Sequence, residues 1–262
     1  MTHELFNLTG KSIYITGGSS GIGYAVASVM IELGATVIIA DIVDASAIAT
    51  KIGAHYVFCN VADEASVEKS FHDTKKLLNT PLDTIILNAG VGDVGPNITE
   101  TEQGIIGKIT RINQWGVLFG LKHGPAFIRD GGSIIATSSM ASKINIPGTA
   151  VYSAAKAAIN SMVKMSALEL GSRAIRVNAV CPGYVATSMG NSAEERAMSE
   201  TFTALGRHAE PKEDLAGVYA FLCSNASQYI TGQTLNIDGG WSCGPTPRLI
   251  KIVTGAGSPP GS

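Results

Sequence analysis

Seven short apolar runs punctuate the chain: SIYIT (12–16), TVIIAD (36–41), HYVFCN (55–60), DTIILN (83–88), GSIIATSS (132–139), IRVNAVCPG (175–183) and QTLNIDGG (233–240). Their β-branched, nearly continuous apolar character suits strands covered on both faces. Longer stretches between them carry helical spacing, as in GYAVASVMIELG (23–34) and ASVEKSFHDTKKLL (65–78). Strands alternating with helices predict βαβ units, right-handed crossovers and a doubly wound α/β domain: a seven-stranded, mostly parallel sheet with helices on both faces. Two segments break the rhythm. Residues from about 184 to 211 read as an inserted loop with short helices, and the tail from 244, ending GAGSPPGS, reads as a flexible extension. No repeat or linker divides the rest, so residues 1–243 are expected to form one domain and 244–262 an appendage.

Composition narrows the class. Of 262 residues, 45% are hydrophobic and 15% charged, too apolar for disorder and suited to a buried sheet. A net charge of −2 and the lack of a Lys/Arg cluster argue against nucleic acid or an anionic membrane surface as partner. Cys59, Cys181, Cys223 and Cys243 lack metal-ligand spacing, and none of His3, His55, His72, His123 and His208 sits in a motif. Reduced thiols, no metal and a cytoplasmic protein are the expectation. The first residues show no signal pattern, and no apolar run reaches the roughly 18 residues of a membrane span.

The first strand runs straight into GGSSGIG and a helix. A tight turn and close backbone approach to a pyrophosphate need glycines, and the helix N-terminus behind them offers free N–H groups. Gly17, Gly21 and Gly23 therefore read as a phosphate cradle, with Ser19, Ser20 and Ile22 between them. Asp41 ends the second strand, where an acid accepts hydrogen bonds from an adenosine ribose and repels a 2′-phosphate; capping the next helix is its bland alternative. Nothing basic sits at 42–46, Ile42 included, so NAD is favoured over NADP.

TGGSSGIG (16–23), NVAD (60–63), NAG (88–90), Asn113, Ser139, YSAAK (152–156) and PG (182–183) stand in the order and spacing of the short-chain dehydrogenase/reductase family, which the chain resembles over about residues 8 to 243. The resemblance implies a single Rossmann-like domain and nicotinamide-dependent redox chemistry. It further implies that Asp63 bonds the adenine with Val61 or Ala62 beside it, and that Asn88, Ala89 and Gly90 line the cofactor. Pro182 and Gly183 precede Val185 and Thr187, which would reach the nicotinamide carboxamide. For Asn88, bracing the central strands stands beside cofactor contact.

On a helix, Tyr152 and Lys156 share one face. Moving a hydride to or from a carbinol carbon needs a partner for the hydroxyl proton, and an ammonium one turn away favours the phenolate of a tyrosine that is otherwise a poor base. In the family the lysine also holds the nicotinamide ribose. Ser139, at the carboxyl edge of the sheet, can donate to the substrate oxygen; strand alternation points Ser138 the other way, and the family spacing selects Ser139. By resemblance, Asn113 holds a water linking Lys156 to solvent, with a merely satisfied polar side chain as the alternative.

The substrate wall is expected from 91–97, 140–150 and the 184–211 loop, contributing Val94, Met140, Ile144, Ile146, Tyr184, Met189, Met198 and Phe202. Their character suggests a neutral, largely apolar secondary alcohol or ketone. Apolar helix surface in GVLFGLKHGPAFI and around Tyr152 suggests self-association, and the resemblance implies a homotetramer or homodimer. A 3-oxoacyl-carrier-protein reductase, a cyclase-like member and an NAD-binding sensor or scaffold are the competing readings.

Overall fold

The protein is described by a computed structural model covering residues 5–92 and 95–255. His3, Val94 and the last residues of the tail lie outside the described residues. Strands β1 (Ser12–Thr16), β2 (Thr36–Asp41), β3 (His55–Phe58), β4 (Leu82–Leu87), β5 (Ile128–Thr137), β6 (Arg176–Pro182) and β7 (Thr234–Ile237) form one sheet in the order β3-β2-β1-β4-β5-β6-β7. All six pairings are parallel. The chain winds outward in both directions from the β1/β4 seam, which places a crevice at the carboxyl ends of the strands.

Period-2 alternation distributes each strand between two cores. Ile13, Ile15, Ile39, Ile86, Ile135 and Val180 pack with Val26 and Met30 of α1 (Gly21–Glu32) and with Tyr219 and Leu222 of α8 (Ala216–Cys223). On the other face Tyr14, Ile38, Ile85, Ile134 and Val177 meet Phe71 of α3 (Glu64–Leu78), Val117 and Leu121 of α5 (Gly116–His123), and Ile159 and Val163 of α6 (Ala150–Leu170). The continuous apolar runs are thus explained, because neither face of the sheet is wet. The buried Tyr14 hydroxyl is paired inside this frame, 2.7 Å from Ser70 Oγ.

Short helices α2 (Ser46–Ile52) and α4 (Gln103–Ile109) complete the crossovers, and α7 (Ala193–Phe202) lies within the inserted segment. The tail departs from the expectation of a floppy extension. Pro247–Thr254 form a helix, α9, entered through Thr246, whose hydroxyl accepts from Leu249 N. It docks on α7: Thr246 Oγ1 donates to Thr201 O, and Arg248 Nη1 to Glu200 O at 3.0 Å.

Candidate active site

A cavity of about 600 Å³ opens at the β1/β4 seam, and the glycine-rich turn forms one end of it. Gly17 and Gly21 adopt φ of +65° and +52°, a region that side chains disfavour. Gly23 is held by contact: a Cβ there would lie 2.1 Å from Gly17 O and 2.7 Å from Asn88 Nδ2. Ser20 precedes α1 without capping it through its side chain, so the first-turn N–H groups face the crevice. Ser19, Ser20, Gly21 and Ile22 line the cavity, whereas Gly23 lies behind the turn.

Asp41 faces this turn. Its carboxylate accepts from Ser19 N at 3.1 Å and Val43 N at 3.2 Å, while the N-cap of α2 is Ala45. It therefore does not cap that helix and stands at the cavity wall beside Ile42, Val43 and Val61. Asp63 has a structural task of its own. It caps α3, accepting from Ala65 N at 3.2 Å, and lies off the cavity wall, where Cys59 and Asn60 stand instead.

Asn88 braces the central strands at the edge of the cavity. Its amide donates to Thr16 O at 3.2 Å and Gly17 O at 3.3 Å and accepts from Thr137 Oγ1 at 3.1 Å, and it also borders the cavity with Ala89 and Gly90. Gly90 is another close approach, since a Cβ would meet Asn113 Oδ1 at 2.8 Å. Asn113 is fully buried in a π-helical turn over Thr110–Trp115. Its amide holds Val91, accepting from N at 2.9 Å and donating to O at 2.8 Å.

Ser139, Tyr152 and Lys156 converge on the cavity. Ser139 Oγ accepts from Ala141 N at 3.1 Å and hydrogen-bonds Tyr152, while Ser138 Oγ donates to Lys156 O at 3.0 Å. Lys156 is 3% exposed, its Nζ donating to Thr137 O at 2.8 Å and lying 5.6 Å from the Tyr152 ring centroid. Burial lowers its pKa to about 8. Burial also raises the Tyr152 phenol, with the Ser139 bond pulling the other way. The expected lowering of Tyr152 by Lys156 does not dominate here, because both groups lose their water together. Tyr152 is thus held protonated, ready to donate.

The substrate end differs most from expectation. Tyr184 and Met189 line the cavity, joined by Thr149, Ser188, Gly190 and Glu195. Met140 is fully buried in the 3₁₀ turn after Ser139, and Ile144, Ile146, Met198 and Phe202 lie off the wall. Tyr184 stacks on Trp241 with centroids 4.8 Å apart. Glu195 belongs to a capping box at the start of α7: its carboxylate accepts from Ser192 N at 2.9 Å while Ser192 Oγ accepts from Glu195 N at 3.2 Å. The S-x-x-E pattern in SAEE was the signal for that helix start. A second space of about 710 Å³ lies between Ser20, Gly21 and residues 186–195, with Pro182, Gly183, Val185 and Thr187 bordering the first.

Among the described residues, no helix is long and apolar enough to cross a membrane, and no group of three His, Cys, Asp or Glu side chains could hold a metal. His208 is buried, its Nδ1 2.7 Å from Ser199 Oγ, beneath rather than within the cavity wall.

A family model described as enoyl-(acyl carrier protein) reductase matches residues 17–242. A sorbose reductase of Candida albicans is 38% identical over 255 residues, covering 92% of this chain and 90% of the relative. An NADP-dependent (R)-specific alcohol dehydrogenase of Lentilactobacillus kefiri is 34% identical, covering 90% and 98%. Among solved structures, a short-chain type dehydrogenase/reductase of Mycobacterium marinum superposes with a TM-score of 0.85 at 33% identity, covering 93% of this chain and all of that one.

Proposed function

Because the chain belongs to the short-chain dehydrogenase/reductase family, we propose that it is an NAD(H)-dependent oxidoreductase interconverting a secondary alcohol and a ketone. One observation carries the reading: Ser139, Tyr152 and Lys156 share a single cavity with the glycine turn and Asp41. The residues suit a dinucleotide. A glycine turn that tolerates no side chain at Gly23, uncapped first-turn N–H groups and a carboxylate at the end of β2 are the donor and acceptor set for a pyrophosphate and a ribose diol.

When bound, the nicotinamide supplies or takes the hydride. Tyr152 gives its proton to the carbonyl oxygen in reduction and recovers it in oxidation; Ser139 donates to the same oxygen and holds it near Tyr152. Lys156, anchored on Thr137 O, would hold the ribose hydroxyls and favour the phenolate in the oxidative direction. Asn113, whose amide holds Val91 beside the cavity, is the residue proposed for the proton relay from Lys156. The preference for NAD over NADP rests on Asp41, a fixed negative charge where a 2′-phosphate would sit.

A second reading concerns the substrate. Thr149, Ser188 and Glu195 replace the expected Met140 and Ile146 on the wall, and this polar lining favours an alcohol or ketone bearing further hydroxyls over a wholly apolar one. The similarity to a sorbose reductase supports the same direction. Residues 1–243 act as one catalytic unit in the cytoplasm in this proposal. Assembly as a homotetramer or homodimer is supported by exposed apolar side chains, with Trp115 and Leu118 on one helix and Met165 and Leu168 on α6.

The test is an absorbance assay at the nicotinamide band, with NAD and NADP supplied separately against apolar and polyhydroxylated secondary alcohols and the matching ketones. Turnover with NAD above NADP is expected. Binding without turnover on every substrate would overturn the redox reading, and faster turnover with NADP would overturn the role of Asp41.

A further inference from the structure

Thr137, the last residue of β5, touches both faces of the sheet. Its carbonyl accepts from Lys156 Nζ at 2.8 Å on the α6 side. Its hydroxyl has two neighbours on other elements: Asn88 Oδ1 at 3.1 Å and the Tyr219 hydroxyl, from α8 on the opposite face, at 2.8 Å. Proton counting orients this chain. The amide nitrogen of Asn88 donates to Thr16 O and Gly17 O, which turns Oδ1 toward Thr137, and an amide oxygen can only accept. Thr137 therefore donates its one hydroxyl proton to Asn88, and Tyr219 donates to Thr137. The ordered sequence runs from Tyr219 through Thr137 and Asn88 to the carbonyl of Gly17, the glycine whose conformation opens the phosphate turn.

We propose that Tyr219 is a positioning residue for the cofactor site: its hydroxyl, buried on the far side of the sheet, fixes the Thr137 hydroxyl and through Asn88 the glycine turn. Tyr219 itself touches neither cavity. It is fully buried in an aliphatic core on a helix that packs against β5 and β6, a place where a tyrosine hydroxyl has no reason to be unless it has a partner. Without that donor, the proton of Thr137 is no longer forced onto Asn88, and the chain loses the mutual polarisation of successive hydrogen bonds. Asn88 then holds Gly17 O and Thr16 O less firmly, and the turn pays more to order around an anion.

The inference rests on the dinucleotide reading above, and a double-mutant cycle on the full chain tests it, with NADH affinity read by fluorescence titration and folding by thermal melting. Tyr219→Phe keeps the ring and removes only the hydroxyl; Thr137→Val removes the node. Tyr219→Phe should weaken NADH binding about 3- to 10-fold, Thr137→Val about 10-fold or more, and the double variant no further than Thr137→Val alone. A hydroxyl with a merely structural task would lower the melting temperature and leave the NADH dissociation constant unchanged, which overturns the proposal. Effects that multiply independently overturn it as well. If the unaltered chain binds no NADH, both the inference and the reading beneath it fall; if it binds and Tyr219→Phe binds equally, only the inference does.

Discussion

On the ribose and phosphate side of the crevice, the groups singled out are fixed by strand ends and by backbone contacts. Asp41 ends a strand and accepts two backbone N–H bonds, Gly23 sits against Gly17 O, and Asn88 is clamped from three directions. On the substrate side, Tyr184, Met189 and Glu195 belong to an irregular segment tied to the body by an isolated bridge between Val185 and Ala209, by the Tyr184–Trp241 stack, and by the contacts of α7 with the C-terminal α9. The first wall is dictated by backbone geometry, the second by which side chains a loop turns inward. One is therefore narrow in what it accepts, and the other is free to change substrate without disturbing the fold.

The largest expected effect falls where the two walls meet. Tyr152→Phe should retain NADH affinity and lose about 10³-fold or more in turnover, since proton transfer to the substrate oxygen is gone while both walls stand; near-normal rates would dissolve the distinction. Gly23→Ala probes the narrow wall. Its Cβ would lie 2.1 Å from Gly17 O, so NADH binding should fall by about 100-fold or be lost, with the dissociation constant as readout. An alanine tolerated there would mean that the turn is as adaptable as the loop.

Lys156 shows what placing function at the meeting point costs the fold. Its pKa is near 8 in the folded protein against 10.5 for an ordinary lysine. The unfolded chain therefore holds more protons between those values, and stability rises with pH across that window. The burden is present in full below about pH 8 and relieved as pH approaches 10.5. Relative to Lys156→Met, the unaltered protein should gain about 3 kcal/mol of stability between pH 7 and 10.5, as measured by denaturant unfolding at each pH. A difference between the two proteins that stays constant with pH would refute the buried ammonium. The smallest effect belongs to the adaptable wall. Glu195→Ala should raise KM for a polyhydroxylated substrate about 3- to 10-fold while KM for an apolar ketone and NADH affinity stay within about 2-fold, a split seen only if Glu195 serves the substrate.

The same division governs what the amino-acid sequence discloses. All seven strands are legible because a sheet buried on both faces demands β-branched runs, and the glycine turn and Asp41 are legible because few residues fit those backbone positions. Tyr152 and Lys156 are disclosed by helical spacing, whereas Ser139 needed the family spacing as well. The side-chain chain through Thr137 is not legible, since nothing local to TSS or to AGVYAF announces a partner 82 residues away. Met140 looked like a substrate contact and is core; the 3₁₀ turn after Ser139 carries it inward. The terminal helix was hidden by Gly, Ser and Pro around it, although Thr246 and Pro247 are together a helix-start signal. Asp63 has a local reason to be there as well, since it caps α3.

The stack of Trp241 on Tyr184 gives this chain an optical handle. Of its two tryptophans, Trp241 leans on the substrate wall and Trp115 sits 42% exposed on the apolar helix face. Indole emission is sensitive to stacking and to water, so quenching at Trp241 would follow the filling of the crevice, and a blue shift at Trp115 would follow association of subunits. Single-tryptophan variants would let one unlabelled protein report both events in separate channels.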